Sequence, residues 1–154
     1  MPSIIALDTN VLLLLIVGTA KLSYIKQHQC LRAFTPNDFK TLSEMVQQFD
    51  ELVTLPNVMS EVGNLLGNTH GPRDPLFEVL EAFVGKVREI YLPTKEAAAR
   101  PEFRRLEVTD CALMEVAKDD VFVLTADGPL YRALSDAGYK TDNFTHHTDA
   151  GRGE

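Results

Sequence analysis

Cysteine is scarce in this 154-residue chain: Cys30 and Cys111 are the only two, and they form no CxxC pair. That argues against a disulfide framework or a zinc site and for reduced thiols in a cytoplasmic protein. Positive charge is also in short supply, with 15 lysines and arginines against 22 acidic residues and a formal net charge of −7. A general electrostatic attraction to nucleic acid is therefore not expected, and any such contact has to be local. No stretch is long enough for a membrane span. The apolar run Val11 to Gly18 is too short, Asp8 interrupts the hydrophobic stretch, and no basic region precedes it. Repeats and low-complexity segments are absent too. What remains, 45% hydrophobic and 24% charged residues, is the mix of one globular domain with a sizeable core.

Ile4 to Leu7 reads as a short strand that stops at Asp8; from Val11 the run is too long for a typical strand and reads as a buried helix. Thr35-Pro36-Asn37-Asp38 is a helix start, followed by Phe39, Leu42, Val46 and Phe49 at helical spacing. Leu52 to Leu55 predicts a second strand. Pro56-Asn57 opens a helix with Asn57 as its N-cap and Gly67-Asn68 as its close. Asp74-Pro75 opens another, striped by Phe77, Leu80 and Val84, and Val87 to Leu92 returns to strand character. Lys95 to Ala99 and Glu102 to Leu106 predict short helical pieces, and Thr109 to Lys118 a longer helix. "VFVL", Val121 to Leu124, is the strongest strand. It turns through Thr125 to Pro129 into a helix over Leu130 to Ala137, and Lys140 to Phe144 predicts an edge strand. Residues 1–145 thus read as one domain and 146–154 as a flexible, frayed tail. The alternation implies an α/β fold with a mostly parallel sheet of about five strands, covered on both faces.

In such sheets ligands bind beyond the carboxyl ends of the strands, where strand order reverses. Asp8 and Asp127 each directly follow a strand, and each taken alone is explained as an N-cap. Glu61 is harder to explain that way, because Val58, Val62, Leu65 and Leu66 place it on or beside its helix's inward stripe. Glu44 is the control: it falls off its helix's apolar face and is expected in solvent. Asp110 repeats the Glu61 pattern ahead of Leu113, Met114 and Ala117, with a first-turn acid favoured by the helix dipole as the alternative. Four carboxylates gathered in one pocket raise one another's pKa, and divalent cations relieve that repulsion. Hard oxygen ligands without histidine or cysteine point to Mg²⁺ or Mn²⁺. Two such ions about 3.5–4 Å apart support in-line phosphodiester displacement by water, which is nuclease chemistry.

"IIALDTNVLL", "LPNVMSEVGNLLG", "LEVTDCALMEVAK" and "VFVLTADGPLYRAL", in that order, resemble the successive motifs of the PIN domain over most of the chain. The resemblance implies a three-layer α/β/α sandwich and a metal-dependent endoribonuclease, with Asp8, Glu61, Asp110 and Asp127 as metal-binding acids. It also implies that Asn10 braces Asp8 and that the Thr125 hydroxyl orients the attacking water; a capping role for Asn10 and a plain strand role for Thr125 are the alternatives. Many small bacterial members are toxins of toxin-antitoxin pairs, silenced by a small antitoxin protein. The segment from Lys21 to Asp50 is longer than compact toxins need, and a substrate groove, a homodimer face and a partner site are all open to it.

RNA is the expected partner, single-stranded or looped, because the chain lacks a basic surface and unpaired bases are easier to present to a small pocket. Lys21, Lys26, Arg32 and Lys40, or Arg100, Arg104 and Arg105, are candidates to hold phosphates, with scattered surface cations as the alternative. His146 and His147 are expected outside the chemistry, and Met45, Met59 and Met114 in the core. The rival readings are a PIN-like binding module with weak or no nuclease activity, and a phosphatase of the strand-DxD type. The latter is disfavoured because Asn10 stands where its second acid belongs.

Overall fold

The computed structural model describes residues 2–67 and 73–153. Strand β1 (Ile4–Leu7) runs into helix α1 (Thr9–Ala20), followed by the short α2 (Tyr24–Gln27), a 3-10 turn (Gln29–Leu31) and α3 (Pro36–Gln47). Then come β2 (Glu51–Thr54), α4 (Pro56–Gly67), α5 (Arg73–Val84), β3 (Arg88–Glu89), α6 (Thr94–Ala98) and α7 (Val108–Lys118). The chain closes with β4 (Phe122–Thr125), α8 (Gly128–Asp136), β5 (Thr141–Asn143) and a 3-10 turn (Phe144–His147). The five strands form one all-parallel sheet in the order β3-β2-β1-β4-β5, flanked by helices as a three-layer α/β/α sandwich.

Strand order reverses beside β1: the chain steps outward to β2 and β3, then returns to lay β4 on β1's other side. The β1/β4 register pairs Leu7 with Leu124, and the Asp8 amide continues the ladder by donating to the Leu124 carbonyl at 3.1 Å. Asp8 and Thr125 therefore emerge side by side at the crevice where parallel sheets bind ligands.

Helix α1 lacks an amphipathic pattern because it is covered nearly all round. Val11, Leu12, Leu13, Leu14, Ile16 and Val17 are buried, and α2, α3, α4 and α5 pack on it. Gly18 makes the close approach to α3 possible, since a Cβ there would lie 2.2 Å from Phe39 Cδ2 and 2.6 Å from its Cγ.

Several local expectations are corrected. Helix α4 begins at Pro56, so Asn57 lies inside the first turn rather than capping it; the missing proline N–H costs nothing at that position. Asn68, its expected close, lies outside the described residues. The strand foreseen over Val87 to Leu92 shortens to Arg88–Glu89, at a sheet edge with one partner strand. Glu102 to Leu106 forms turns rather than a helix, and α2 was not foreseen.

The tail does not run free either. Thr35 and Asp38 form a capping box on α3, and the same residues hold the chain end. Thr35 Oγ1 and Asn37 Nδ2 donate to the Asp149 carboxylate at 2.7 and 2.8 Å, and the Asp149 amide donates to buried Asp38 at 2.8 Å. These donors hold the Asp149 carboxyl below the usual range. No helix among the described residues is long and apolar enough to cross a membrane.

Gly18→Ala separates two opposed effects. Alanine gains about 1 kcal/mol over glycine in a helix interior, whereas overpacking a core contact costs about 1–3 kcal/mol or more. A Cβ colliding with the body of the Phe39 ring makes the second effect win, so Gly18→Ala is expected to lower the urea midpoint of unfolding. A raised midpoint would show that α3 moves aside freely.

Candidate functional site

A cleft of about 390 Å³ opens at the carboxyl ends of β1 and β4, and Asp8, Glu61, Asp110 and Asp127 all line it. The structure thus brings together the four acids foreseen at two strand ends and on two helix faces. Glu44 is exposed, away from the cleft.

Asp8 is both a cap and a cleft residue. One carboxylate oxygen accepts from the Val11 amide at 3.3 Å, capping α1; the other accepts from the Thr125 hydroxyl and from the Ala126 amide at 3.2 Å. Charge-assisted hydrogen bonds each contribute about 1.5–3 kcal/mol, yet burial outweighs them. The Asp8 carboxyl is pushed up to about 6, chiefly by desolvation and further by the Asp127 charge.

Glu61 is held where three helices meet. Thr9, in the first turn of α1, donates to one of its oxygens at 3.4 Å, and Thr109, in the first turn of α7, donates to the other. Asp110 follows Thr109 in the first turn of α7, near the Glu107 backbone amide, which partly offsets the rise in its pKa. Burial first, then the charges of Asp127 and Asp8, push its pKa to about 6. Asp127 stands at the N-cap of α8 but makes no side-chain cap bond, unlike Asp8. Among the described residues its carboxylate accepts no hydrogen bond, and its charge acts on both other aspartates.

Two of the expected roles change. Thr125 is fully buried, and its hydroxyl donates to Asp8 while accepting from the Asp127 amide at 2.9 Å. It links the Asp8 carboxylate to the Asp127 backbone, and Thr125 is not among the residues that line the cleft. Asn10 is exposed at the cleft, and Asp8 is braced by Thr125 instead of by it; nor does Asn10 cap α1, since Asp8 does.

Sequence reasoning missed Thr9, Thr109 and Glu107. The first two were discoverable as hydroxyl neighbours of Asp8 and Asp110 in sequence, and Glu107 as the residue before the predicted helix. Of the candidate phosphate-holding cations, only Arg105 lines the cleft. Arg100 is taken up by Glu115 at 2.5 Å, Glu102 at 3.1 Å and the Tyr139 ring. His147 pairs with Asp142 at 2.7 Å and His146 meets the Tyr131 ring edge-on. Met114 is fully buried, and Met45 and Met59 pack against the core.

Among the described residues, no three His, Cys, Asp or Glu side chains are grouped so as to hold one metal ion. Both oxygens of Asp8 and both of Glu61 are turned to protein donors. In kind, the donor set fits a hard divalent cation: all oxygen, with mutual repulsion between Asp8, Asp110 and Asp127. No protein-family model and no curated protein matches this chain.

The raised Asp110 pKa has a stability consequence of definite sign. A carboxyl that holds its proton more tightly when folded loses stability as pH rises from its unfolded value, 3.8, through about 6, and the penalty is complete above that. Asp110→Asn is therefore expected to raise the metal-free melting temperature by several degrees at pH 7.5, with the gain vanishing towards pH 4. A loss of stability at every pH would make Asp110 a plain cap.

Proposed function

We propose that the chain is a Mg²⁺- or Mn²⁺-dependent endoribonuclease acting on unpaired RNA. The observation that carries this reading is the uncapped Asp127 carboxylate, aimed into a cleft it shares with Asp8, Asp110 and Glu61 at the strand-order reversal. A helix-start aspartate serving structure alone would cap its helix. This one leaves that stabilisation unused and raises the pKa of two neighbours.

Asp8, Asp110, Asp127 and Glu61 would hold the cations. Bound there, a divalent ion supplies a water of lowered pKa and charge to stabilise the leaving oxygen. The chain's own part is to keep those carboxylates charged and oriented: Thr125 fixes Asp8, and Thr9 and Thr109 fix Glu61. In the proposed reaction, water adds to phosphorus and the bond to the 3′ oxygen breaks. The products are a 5′-phosphate and a 3′-hydroxyl, with the water's second proton released to solvent.

One observation favours a second reading, a binding module of the same fold: each carboxylate oxygen of Asp8 and Glu61 already accepts from a protein donor, and no three-acid group is assembled among the described residues. Asp127→Asn decides between the two, since it removes a cleft charge without removing a cap. Purified protein is incubated with a mixed RNA pool and Mn²⁺, with EDTA, and with the variant in place of wild type. The nuclease reading expects cuts bearing 5′-phosphates, lost in EDTA and reduced at least about a hundredfold in a variant that still folds. It also expects millimolar Mn²⁺ to raise the wild-type melting temperature. A folded wild type with no cuts and no shift selects the binding module.

A further inference from the structure

We propose that Arg105 is the phosphate anchor of the cleft, holding one backbone phosphate of an unpaired RNA beside the carboxylates. Its choice of RNA rests on the nuclease reading above. Among the described lining residues Arg105 is the one cation, beside Asp8, Glu61, Glu107, Asp110 and Asp127. Yet no carboxylate among the described residues lies within ion-pairing distance of it.

Two of the acids next to it are held by other donors. Asp8 takes the Thr125 hydroxyl and two amides, and Glu61 takes two threonine hydroxyls. An unpaired guanidinium bordering five carboxylates is available for an incoming anion. Its planar fork matches two phosphate oxygens at once, as an ammonium does not.

The backbone that carries Arg105 is fixed on both sides. Upstream, half-buried Arg100 is locked by Glu102, Glu115 and Tyr139. Downstream, Leu106 is buried, and the Arg105 and Leu106 amides both donate to the Glu102 carbonyl, at 3.0 and 2.8 Å. In a chain of net charge −7 a polyanion is repelled in general, so one cation delivered to the cleft on a rigid turn is where contact begins. Arg104, next to it, is exposed and does not line the cleft.

The test uses a 5′-labelled, unstructured RNA with wild type, Arg105→Ala, Arg105→Lys and Arg104→Ala, each first checked for an unchanged melting temperature. Binding is read by anisotropy in Ca²⁺, a hard ion of looser geometry, and cleavage in Mn²⁺. Arg105→Ala is expected to raise Kd and KM about tenfold and to reduce the slope of log affinity against log salt by about 0.7, the share of one single-strand phosphate. Its kcat stays within about threefold, as for lost uniform binding. Arg105→Lys falls between, and Arg104→Ala matches wild type. Unchanged affinity and slope in Arg105→Ala overturn the proposal, and so does an equal loss in Arg104→Ala, which would make the effect one of net charge. Wild type that binds RNA through Arg105 without cutting it supports the anchor and removes the nuclease. Wild type that does not bind RNA overturns the anchor.

Discussion

The burial of the Asp8 carboxylate between β1 and β4 is the constraint on which the rest of the arrangement depends. A charge placed there costs several kcal/mol in lost hydration, and it is tolerated because three donors converge on it: Thr125, Ala126 and Val11. Those donors belong to the end of β4, the turn after it and the first turn of α1. Satisfying one carboxylate therefore ties the strand-order reversal to the entry of the central helix. The compensation is incomplete, as the Asp8 pKa of about 6 records. The residual cost is what burial of the carboxylate leaves after its three donors have offset part of it.

Around that centre, the same hydroxyl device recurs. Thr125 links Asp8 to the Asp127 amide, and Thr9 and Thr109 clasp Glu61 between α1 and α7. Neutral donors orient the acids without neutralising them. A lysine or arginine in their place would lower the carboxylate pKa values and compete with any cation. Arg105, the one arginine among the described lining residues, forms no ion pair with the acids.

The long stretch between Asp8 and Glu61 supports the site at one remove. Buried His28 bridges backbone groups, its Nδ1 accepting from the Cys30 amide at 3.1 Å and its Nε2 lying 3.2 Å from the Leu65 carbonyl. Leu65 lies one turn beyond Glu61 on α4, so the stretch steadies the helix that presents the acid. Helix α3, from the same stretch, receives the chain end through Asp149. The intervening residues are thus part of the core's closure. Gly18, which lets α3 lie against α1, is the small residue that permits it.

Much of the fold could be read from sequence because short-range spacing encodes it. The apolar run after Asp8 marks α1, Thr35 with Asp38 marks the start of α3, and "VFVL" marks β4. The same periodicity put Glu61 and Asp110 on inward faces and left Glu44 outside. The edge strand β3 was overextended because a two-residue bridge leaves hardly any pattern, and the end of the chain read as frayed because its partners lie more than a hundred residues away. Sequence by itself determined which segments are strands and helices and which acids face inward, since both follow from neighbours three or four positions apart. Only the tertiary structure decided that Thr125 serves Asp8 across 117 positions, that Thr109 meets Glu61, and that Arg105 faces the cleft while Arg100 is spent on ion pairs. A hydroxyl or guanidinium has no periodicity to declare its direction; its partner is whatever group the crossing of distant chain segments places within reach.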